Sequence, residues 1–313
     1  MIIEYIASDI NNPLHLFFYG IMERISAIVD MLDIPRNIFW FSEAGGSMID
    51  SSGVTYLGDI GMWNAVQNNA AINANAGQFV SAYYIINIFI IPGFIFAYYR
   101  LLGTKDYRKK YLFFIIIAII LSVISGNPLP IEICMLILSP LLYLFYLLLV
   151  GLSFAATTSL GALIGYSFSG DVISAIPGSI IDLFGYLKSS LYITQIIQLA
   201  ALGVFFGLIF HLSTIYYFKK LAIGFISVHD VDVISLEVLD ALGGIDNLTY
   251  LEATPDKIIA RFENREIVDL SKLKKLGAYL ILESKDGYCI RLGNISIMVS
   301  TKINQYIDKQ KKV

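Results

Sequence analysis

Three stretches of the chain carry no charge for the length that a helix needs to cross a bilayer. They run from Phe79 to Tyr99, from Ile133 to Ala155, and from Ile193 to Phe218, where His211 is the one ionisable side chain. The hydrocarbon core is about 30 Å thick, so a spanning helix takes roughly 20 mostly apolar residues. Each stretch therefore predicts a membrane span. Tyr111 to Ile124 is as apolar but shorter, which predicts a tilted, kinked or re-entrant segment. Residues 156–187 are moderately apolar and rich in Gly and Ser, enough for one more segment or a surface helix. The stretch from Phe41 to Gly77 is rich in Gly, Asn, Ser and Ala and carries Asp50, Asp59 and Trp63. It reads as a long loop, either a lid or the lining of a polar cavity.

Beyond Lys219-Lys220 the pattern changes. Residues 231–243 form an amphipathic helix that stops at the Gly243-Gly244 pair. Ile258 to Phe262 and Tyr279 to Glu283 alternate as strands do. Tyr288 to Leu292 and Ile295 to Val299 read as a further hairpin, and Lys302 to Lys312 as a terminal helix. The expected architecture is an α-helical polytopic membrane domain over residues 1–220, then a small α+β cytoplasmic domain, an antiparallel sheet with helices, over 221–313.

The charge distribution draws the same boundary. Residues 1–218 hold 8 Lys and Arg with 12 Asp and Glu, whereas 219–313 hold 14 and 13. Overall, 15% of the 313 residues are charged and 57% are hydrophobic, against about 25% charged in ordinary soluble domains. That composition argues against a soluble enzyme and against a disordered chain. A formal net charge of −3 leaves no basic field for nucleic acid. Cys134 and Cys289 are too few for a disulfide framework or a four-thiolate zinc site. His15, His211 and His229 lie too far apart to suggest a metal cluster, and no metal is expected.

Lys and Arg mark orientation. Arg100, Lys105, Arg108, Lys109 and Lys110 follow the first span, and Lys219 and Lys220 follow the last. Both ends are predicted cytoplasmic, with an even number of crossings between them. The N-terminus does not read as a cleavable signal peptide: it lacks a basic start, and Glu4 and Asp9 interrupt it.

The segment Ser125-Gly126-Asn127-Pro128-Leu129-Pro130-Ile131-Glu132 is the strongest candidate for chemistry. Its two prolines break a helix between very apolar neighbours. Broken backbone at membrane depth survives where it is buried in protein or lines water. Glu132 is then either a functional intramembrane carboxylate or a glutamate at the interface facing headgroups. A carboxylate accepts hydrogen bonds from sugar hydroxyls, which suits a polyol. Half-helix sites of this kind recur in transporters, so Asn127, in the broken segment, joins the candidates. Glu23 and Arg24 sit in an apolar helical pattern and read either as an interfacial ion pair or as part of a pathway. His211 reads as a packing histidine.

These residues bear a resemblance. Gly126 with Pro130-Ile131-Glu132, then Ser139-Pro140-Leu141-Leu142-Tyr143, then Gly151-Leu152-Ser153, resembles the membrane domain C of the phosphotransferase-system sugar permeases. The branch is that of the glucose, maltose and N-acetylglucosamine permeases. Asn12-Pro13 and Tyr19-Gly20-Ile21-Met22-Glu23-Arg24 resemble an earlier element of that domain, and Gly58-Asp59-Ile60 and Ala76-Gly77 the loop between. Leu242-Gly243-Gly244-Ile245-Asp246-Asn247-Leu248, Leu251-Glu252-Ala253 and Leu273-Lys274-Lys275-Leu276-Gly277-Ala278 are similar to the family's cytoplasmic B domain. The chain reads as beginning near the middle of domain C.

The resemblance implies a sugar of the glucose, maltose or N-acetylglucosamine class, bound near Glu132, Arg24, Glu23 and Asn127 and moved across the cytoplasmic membrane. It implies no cofactor. It implies the bilayer, other subunits of the system or a full-length permease, and a homodimer as partners, and no nucleic acid.

The departures matter as much. The first glutamate of the family's T-E-P-I-E pattern falls at Leu129. The histidines of a further sugar-binding segment are absent around Pro35-Arg36-Asn37-Ile38-Phe39-Trp40. Thr254 takes the place of the phosphorylated cysteine, in Leu251-Glu252-Ala253-Thr254-Pro255-Asp256-Lys257-Ile258-Ile259. A hydroxyl is a poorer nucleophile than a thiolate. Lys257 and Ile259 stand where the motif has arginines, so bidentate phosphate binding is lost. Asp256 adds a negative charge, and Cys289 lies outside the motif. Phosphotransfer would then come from another B domain. The alternative is a non-catalytic paralogue, a sugar sensor or a regulatory partner of a full-length permease; a third reading is a gene remnant.

Overall fold

The computed structural model describes residues 2–50, 52–67, 75–102, 105–166, 178–187, 190–221, 228–284 and 287–310. It divides into two compact units. The first comprises Met1–Ile95, Phe114–Leu136 and Leu142–His211; the second comprises Phe96–Phe113, Ile137–Leu141 and Leu212–Val313. It is mostly helical, with a small antiparallel sheet near the C-terminus, as the sequence pattern predicts.

The chain opens with α1 (Ile2–Ser8), α2 (Pro13–Ile28) and α3 (Asp33–Phe41). The start of α2 is set by two local signals: the Asn12 side chain accepts a hydrogen bond from Leu14 N, and Pro13 occupies the first turn. The stretch from Phe41 to Gly77 is more ordered than its composition suggests. It holds an antiparallel hairpin of β1 (Ser47–Ile49) and β2 (Thr55–Leu57), then α4 (Gly58–Gln67). The hairpin turn is closed by Asp50, whose carboxylate accepts from Ser52 N at 2.9 Å and Val54 N at 2.8 Å. A strand pattern of three residues was too short to read; residues 68–74 lie outside the described residues.

Among the described residues, three helices are long and apolar enough to cross a membrane: Ala82–Leu101, Pro140–Leu160 and Ile193–Lys219. The first consists of α5 (Ala82–Ile85), a π turn and α6 (Ile91–Leu101). Next comes α7 (Lys105–Ile119), extended by a π turn through Ile124, so that the short apolar stretch continues a helix begun by charged residues. Then follow α8 (Leu129–Leu138), α9 (Pro140–Leu160), α10 (Ile180–Tyr186) and α11 (Ile193–Tyr216).

The expected single span from Ile133 to Ala155 is corrected: the helix breaks at Ser139, between α8 and α9. Pro140 explains it, because a proline has no N–H to donate and its ring disfavours a helical residue before it. Of the weakly apolar stretch 156–187, residues 167–177 lie outside the described residues, and α10 is short.

The break before α8 is held by named bonds. Gly126 adopts φ 61°, a conformation that costs a side-chained residue. Its carbonyl accepts from Asn87 Nδ2 at 3.2 Å, and Asn127 N donates to Leu121 O at 2.9 Å. A buried amide on the neighbouring helix thus serves backbone that the helix cannot. Between α6 and α11 the packing is backbone on backbone: a Cβ at Gly93 would lie 2.6 Å from Gly207 O. His211 Nδ1 lies 2.9 Å from Gly93 O, so this histidine is a packing group, as read.

In the second unit α12 (Val228–Ala241) ends at the glycine pair. Gly243 and Gly244 have φ 89° and 82°, and Gly244 N donates to Leu239 O at 2.9 Å, the closing bond of a left-handed cap. Strands β3 (Leu248–Ala253), β4 (Ile258–Phe262), β5 (Leu280–Ser284) and β6 (Gly287–Arg291) form one antiparallel sheet in the order β3-β4-β6-β5. Helices α13 (Leu270–Lys275) and α14 (Ser296–Gln310) complete it.

The core joins Val238 and Leu242 of α12 and its end, Ile258 and Ala260 of β4, Leu273 of α13, Ile290 of β6, and Val299 and Ile303 of α14. The expected strand at Ile295–Val299 is corrected to the start of α14, since Ile295, Val299 and Ile303 recur every four residues and all face this core. Helix α14 consequently begins at Ser296, ahead of the expected Lys302.

Candidate functional site

The candidate site lies in the first unit and is assembled by small residues that let helices approach. A Cβ on Gly20 of α2 would lie 2.5 Å from the ring of Phe154 on α9. One on Gly151 of α9 would lie 2.7 Å from the ring of Phe17 on α2. Each glycine receives the other helix's phenylalanine. The interlock sets the next turn of α2, which carries Glu23 and Arg24, beside α9.

Glu23, Arg24 and Glu132 are all buried, with exposures of 0%, 1% and 0%. Arg24 is bidentate on Glu23, through Nε to Oε2 and through Nη2 to Oε1. Its remaining nitrogen, Nη1, donates to Glu132 Oε1 at 3.3 Å, across 108 positions of sequence. Tyr146 of α9 donates its hydroxyl to the same Glu132 oxygen. Glu132 Oε2 is buried and has no hydrogen-bond partner among the described residues. Glu132 occupies the first turn of α8, where the Pro128 carbonyl accepts from Glu132 N at 3.0 Å.

Two further elements close the network. Arg36 of α3 reaches Glu23 Oε1 with Nε at 3.0 Å and Nη2 at 2.9 Å. Tyr83 of α5 donates to the same oxygen at 2.6 Å. The Arg36 guanidinium lies 4.7 Å from the Trp40 ring and 5.4 Å from that of Tyr83. Two carboxylates and two guanidinium groups leave the network formally neutral, the condition under which buried charges are tolerated.

Of the residues singled out in the sequence, Glu23, Arg24 and Glu132 come together. Asn127 does not join them by any hydrogen bond: it is exposed, and its Oδ1 accepts from Leu129 N at 3.2 Å, capping the start of α8. Thr254 lies in the second unit, buried in the turn between β3 and β4. Its hydroxyl donates to Asp256 Oδ1 at 2.8 Å, and its N–H to Lys257 O at 2.8 Å. Asp256 in turn lies 3.7 Å from Arg291 Nε. Cys289 sits on β6, paired in register with Ile259 and Leu282.

Arg36, Tyr83 and Tyr146 were not singled out. Arg36 follows a proline in a short amphipathic helix, where an arginine reads as solvent-facing. The tyrosines lie inside apolar runs, where an aromatic reads as core.

A second buried carboxylate organises the same unit. Asp59, 1% exposed, accepts from Gly77 N at 2.7 Å, Gln78 N at 3.2 Å and Phe79 N at 3.0 Å. It anchors the turn that leads into α5, and so the position of Tyr83.

No family model matches the chain. Over 308 residues it is 29% identical to the "PTS system glucoside-specific EIICBA component" of Staphylococcus carnosus (strain TM300). The resemblance to the sugar permeases is borne out. The match covers 95% of this chain and 43% of that relative, so the chain spans less than half the length of the curated protein it matches. At that coverage it runs through both units. Together with the three long apolar helices found among the described residues, it supports a membrane location for this chain.

Proposed function

We propose that the chain is the sugar-binding membrane component of a phosphotransferase-type permease. The observation that carries this reading is the buried Glu23–Arg24–Glu132 network with one Glu132 oxygen unpartnered at a helix break. A carboxylate oxygen held without a donor in a dry site costs free energy unless a ligand supplies one. A sugar hydroxyl is such a donor, and the Arg24 guanidinium donates to a ring or hydroxyl oxygen of the same sugar. The network's neutrality suits an uncharged polyol. The relative's name, which specifies glucosides, supports a hexose or hexoside over other polyols.

In this reading residues 1–220 carry the latter part of domain C and residues 221–313 a B-type domain on the cytoplasmic side, with the basic residues at Arg100–Lys110 and Lys219-Lys220 facing the same compartment. Movement follows alternating access around a fixed site. Phosphorylation comes from another B domain, because Thr254 offers a hydroxyl where the motif has a thiolate. Its hydroxyl is also engaged with Asp256 at 2.8 Å. That last observation favours a second reading, a non-catalytic paralogue that senses sugar or partners a full-length permease.

Counterflow in proteoliposomes separates the two, since exchange needs no phosphoryl donor. Vesicles preloaded with unlabelled methyl glucoside should accumulate the labelled sugar transiently, and Glu132→Gln should abolish this. Folded protein that binds sugar without counterflow would leave the sensor reading and refute transport.

A further inference from the structure

Glu23 carries an unusual share of donors on one oxygen. Oε1 accepts from Arg24 Nη2 at 2.5 Å, Arg36 Nε at 3.0 Å and Tyr83 OH at 2.6 Å, with Arg36 Nη2 at 2.9 Å. Two cations therefore share one anion. Arg36 is also the member of the network nearest water, its side chain 18% exposed while Glu23 is at 0%.

The sharing has an electrostatic consequence. A single arginine bidentate on a single buried carboxylate is a closed pair, with little field left for a third group. Here Arg36 neutralises part of Glu23, which leaves part of the Arg24 charge for Glu132, reached by Nη1 at 3.3 Å. Arg36 bonds to Glu23 and not to Glu132, so any effect on Glu132 passes through Glu23 and Arg24. The rings of Trp40 and Tyr83 hold the guanidinium from the sides.

We propose that Arg36 is a positioning residue of the sugar site, dividing Glu23 between two cations so that Arg24 stays paired with Glu132 and the second Glu132 oxygen is presented to the ligand. This rests on the reading of Glu132 as a sugar ligand. Without Arg36, Glu23 claims Arg24 entirely, and Glu132 is left with Tyr146 alone. The defect is one of charge count, so it is repaired either by restoring the cation or by removing the excess anion.

The test is calorimetric titration of glucose, maltose, N-acetylglucosamine and methyl glucoside against the full chain in detergent. Wild type, Arg36→Gln, Arg36→Lys and the double variant Arg36→Gln/Glu23→Gln are compared, each checked for a cooperative unfolding transition. Arg36→Gln should bind about tenfold more weakly, a difference of 1.4 kcal/mol. Arg36→Lys and the double variant should each return to within about threefold of wild type. Wild-type binding with Arg36→Gln unchanged overturns the inference and leaves the Glu132 site standing. A loss in Arg36→Gln that neither the lysine nor the double variant repairs also overturns it, as plain structural damage. If Arg36→Gln does not fold, the charge-balanced double variant decides: near-wild-type binding supports the inference and a tenfold loss refutes it. No binding of any of the four sugars by folded wild type removes both this inference and the site it rests on.

Discussion

Replacing Arg24 by methionine isolates the energetics of the buried network. Methionine keeps much of the length and packing of the arginine stem and deletes the charge. Glu23 then retains Arg36, with Nη2 at 2.9 Å, whereas Glu132 retains only the Tyr146 hydroxyl and becomes a buried carboxylate without a cation. At the 3.3 Å separation of Arg24 Nη1 and Glu132 Oε1, Coulomb's law with an effective dielectric of 20 gives about 5 kcal/mol for unit charges. Breaking a buried pair from one side typically costs about 3–5 kcal/mol. Arg24→Met should therefore lose about 3–5 kcal/mol of stability, read from denaturant or thermal unfolding in micelles. Arg24→Met/Glu132→Gln should recover at least about 1.5 kcal/mol of that loss, because the second change removes the orphaned charge. A loss below about 1 kcal/mol, or a double variant no more stable than the single, would refute the claim that Arg24 serves as the counter-ion of Glu132.

Other perturbations test separate parts of the molecule. Gly207→Val drives side-chain atoms into the backbone of the facing helix, since even a Cβ there would lie 2.9 Å from Phe89 O; a loss of about 1–3 kcal/mol is expected, and wild-type stability would contradict the close contact. Asp59→Ala strips the acceptor from the amides of Gly77, Gln78 and Phe79; it should cost about 2–3 kcal/mol, and an unchanged unfolding transition would count against the anchoring role. Asp30→Gly relieves a residue held at φ 60° and should raise stability by up to about 1 kcal/mol, with a decrease arguing that the aspartate side chain earns its place. Thr254→Cys supplies a thiol but leaves Asp256 beside it, so no label should transfer from a phosphorylated donor protein of the system; stable labelling would show that the turn still functions as a phosphoryl acceptor.

Much of the fold was legible because membrane spans and glycine caps are local signals. The uncharged stretches from Phe79 to Tyr99 and from Ile193 to Phe218 point to the helices Ala82–Leu101 and Ile193–Lys219 by length alone, and Gly243-Gly244 marks the end of α12 by itself. The break at Pro140 was masked by the apolarity on both sides: hydropathy registers burial in lipid, and Ser139 is one polar residue between two apolar helices. Ile295–Val299 misled for a related reason. Five residues are too few to separate a period of two from one of 3.6, and only Ile303, a turn further on, settles the helix. The site divides the same way. Glu23, Arg24 and Glu132 stood out as charges in apolar sequence, which is costly anywhere in the chain. Arg36 and Tyr83 gave no such signal, because their partner, Glu23, is chosen by the packing of α2, α3 and α5 and not by spacing along any one of them.

The central claim is that Glu132, held by Arg24 and Tyr146 at a helix break, is the acceptor for a sugar hydroxyl. Equilibrium binding of methyl glucoside to folded wild type and to Glu132→Gln, measured side by side by calorimetry, tests it most directly. Wild type should bind saturably and the variant should lose at least tenfold, about 1.4 kcal/mol or more. Equal affinity in the two proteins would contradict it.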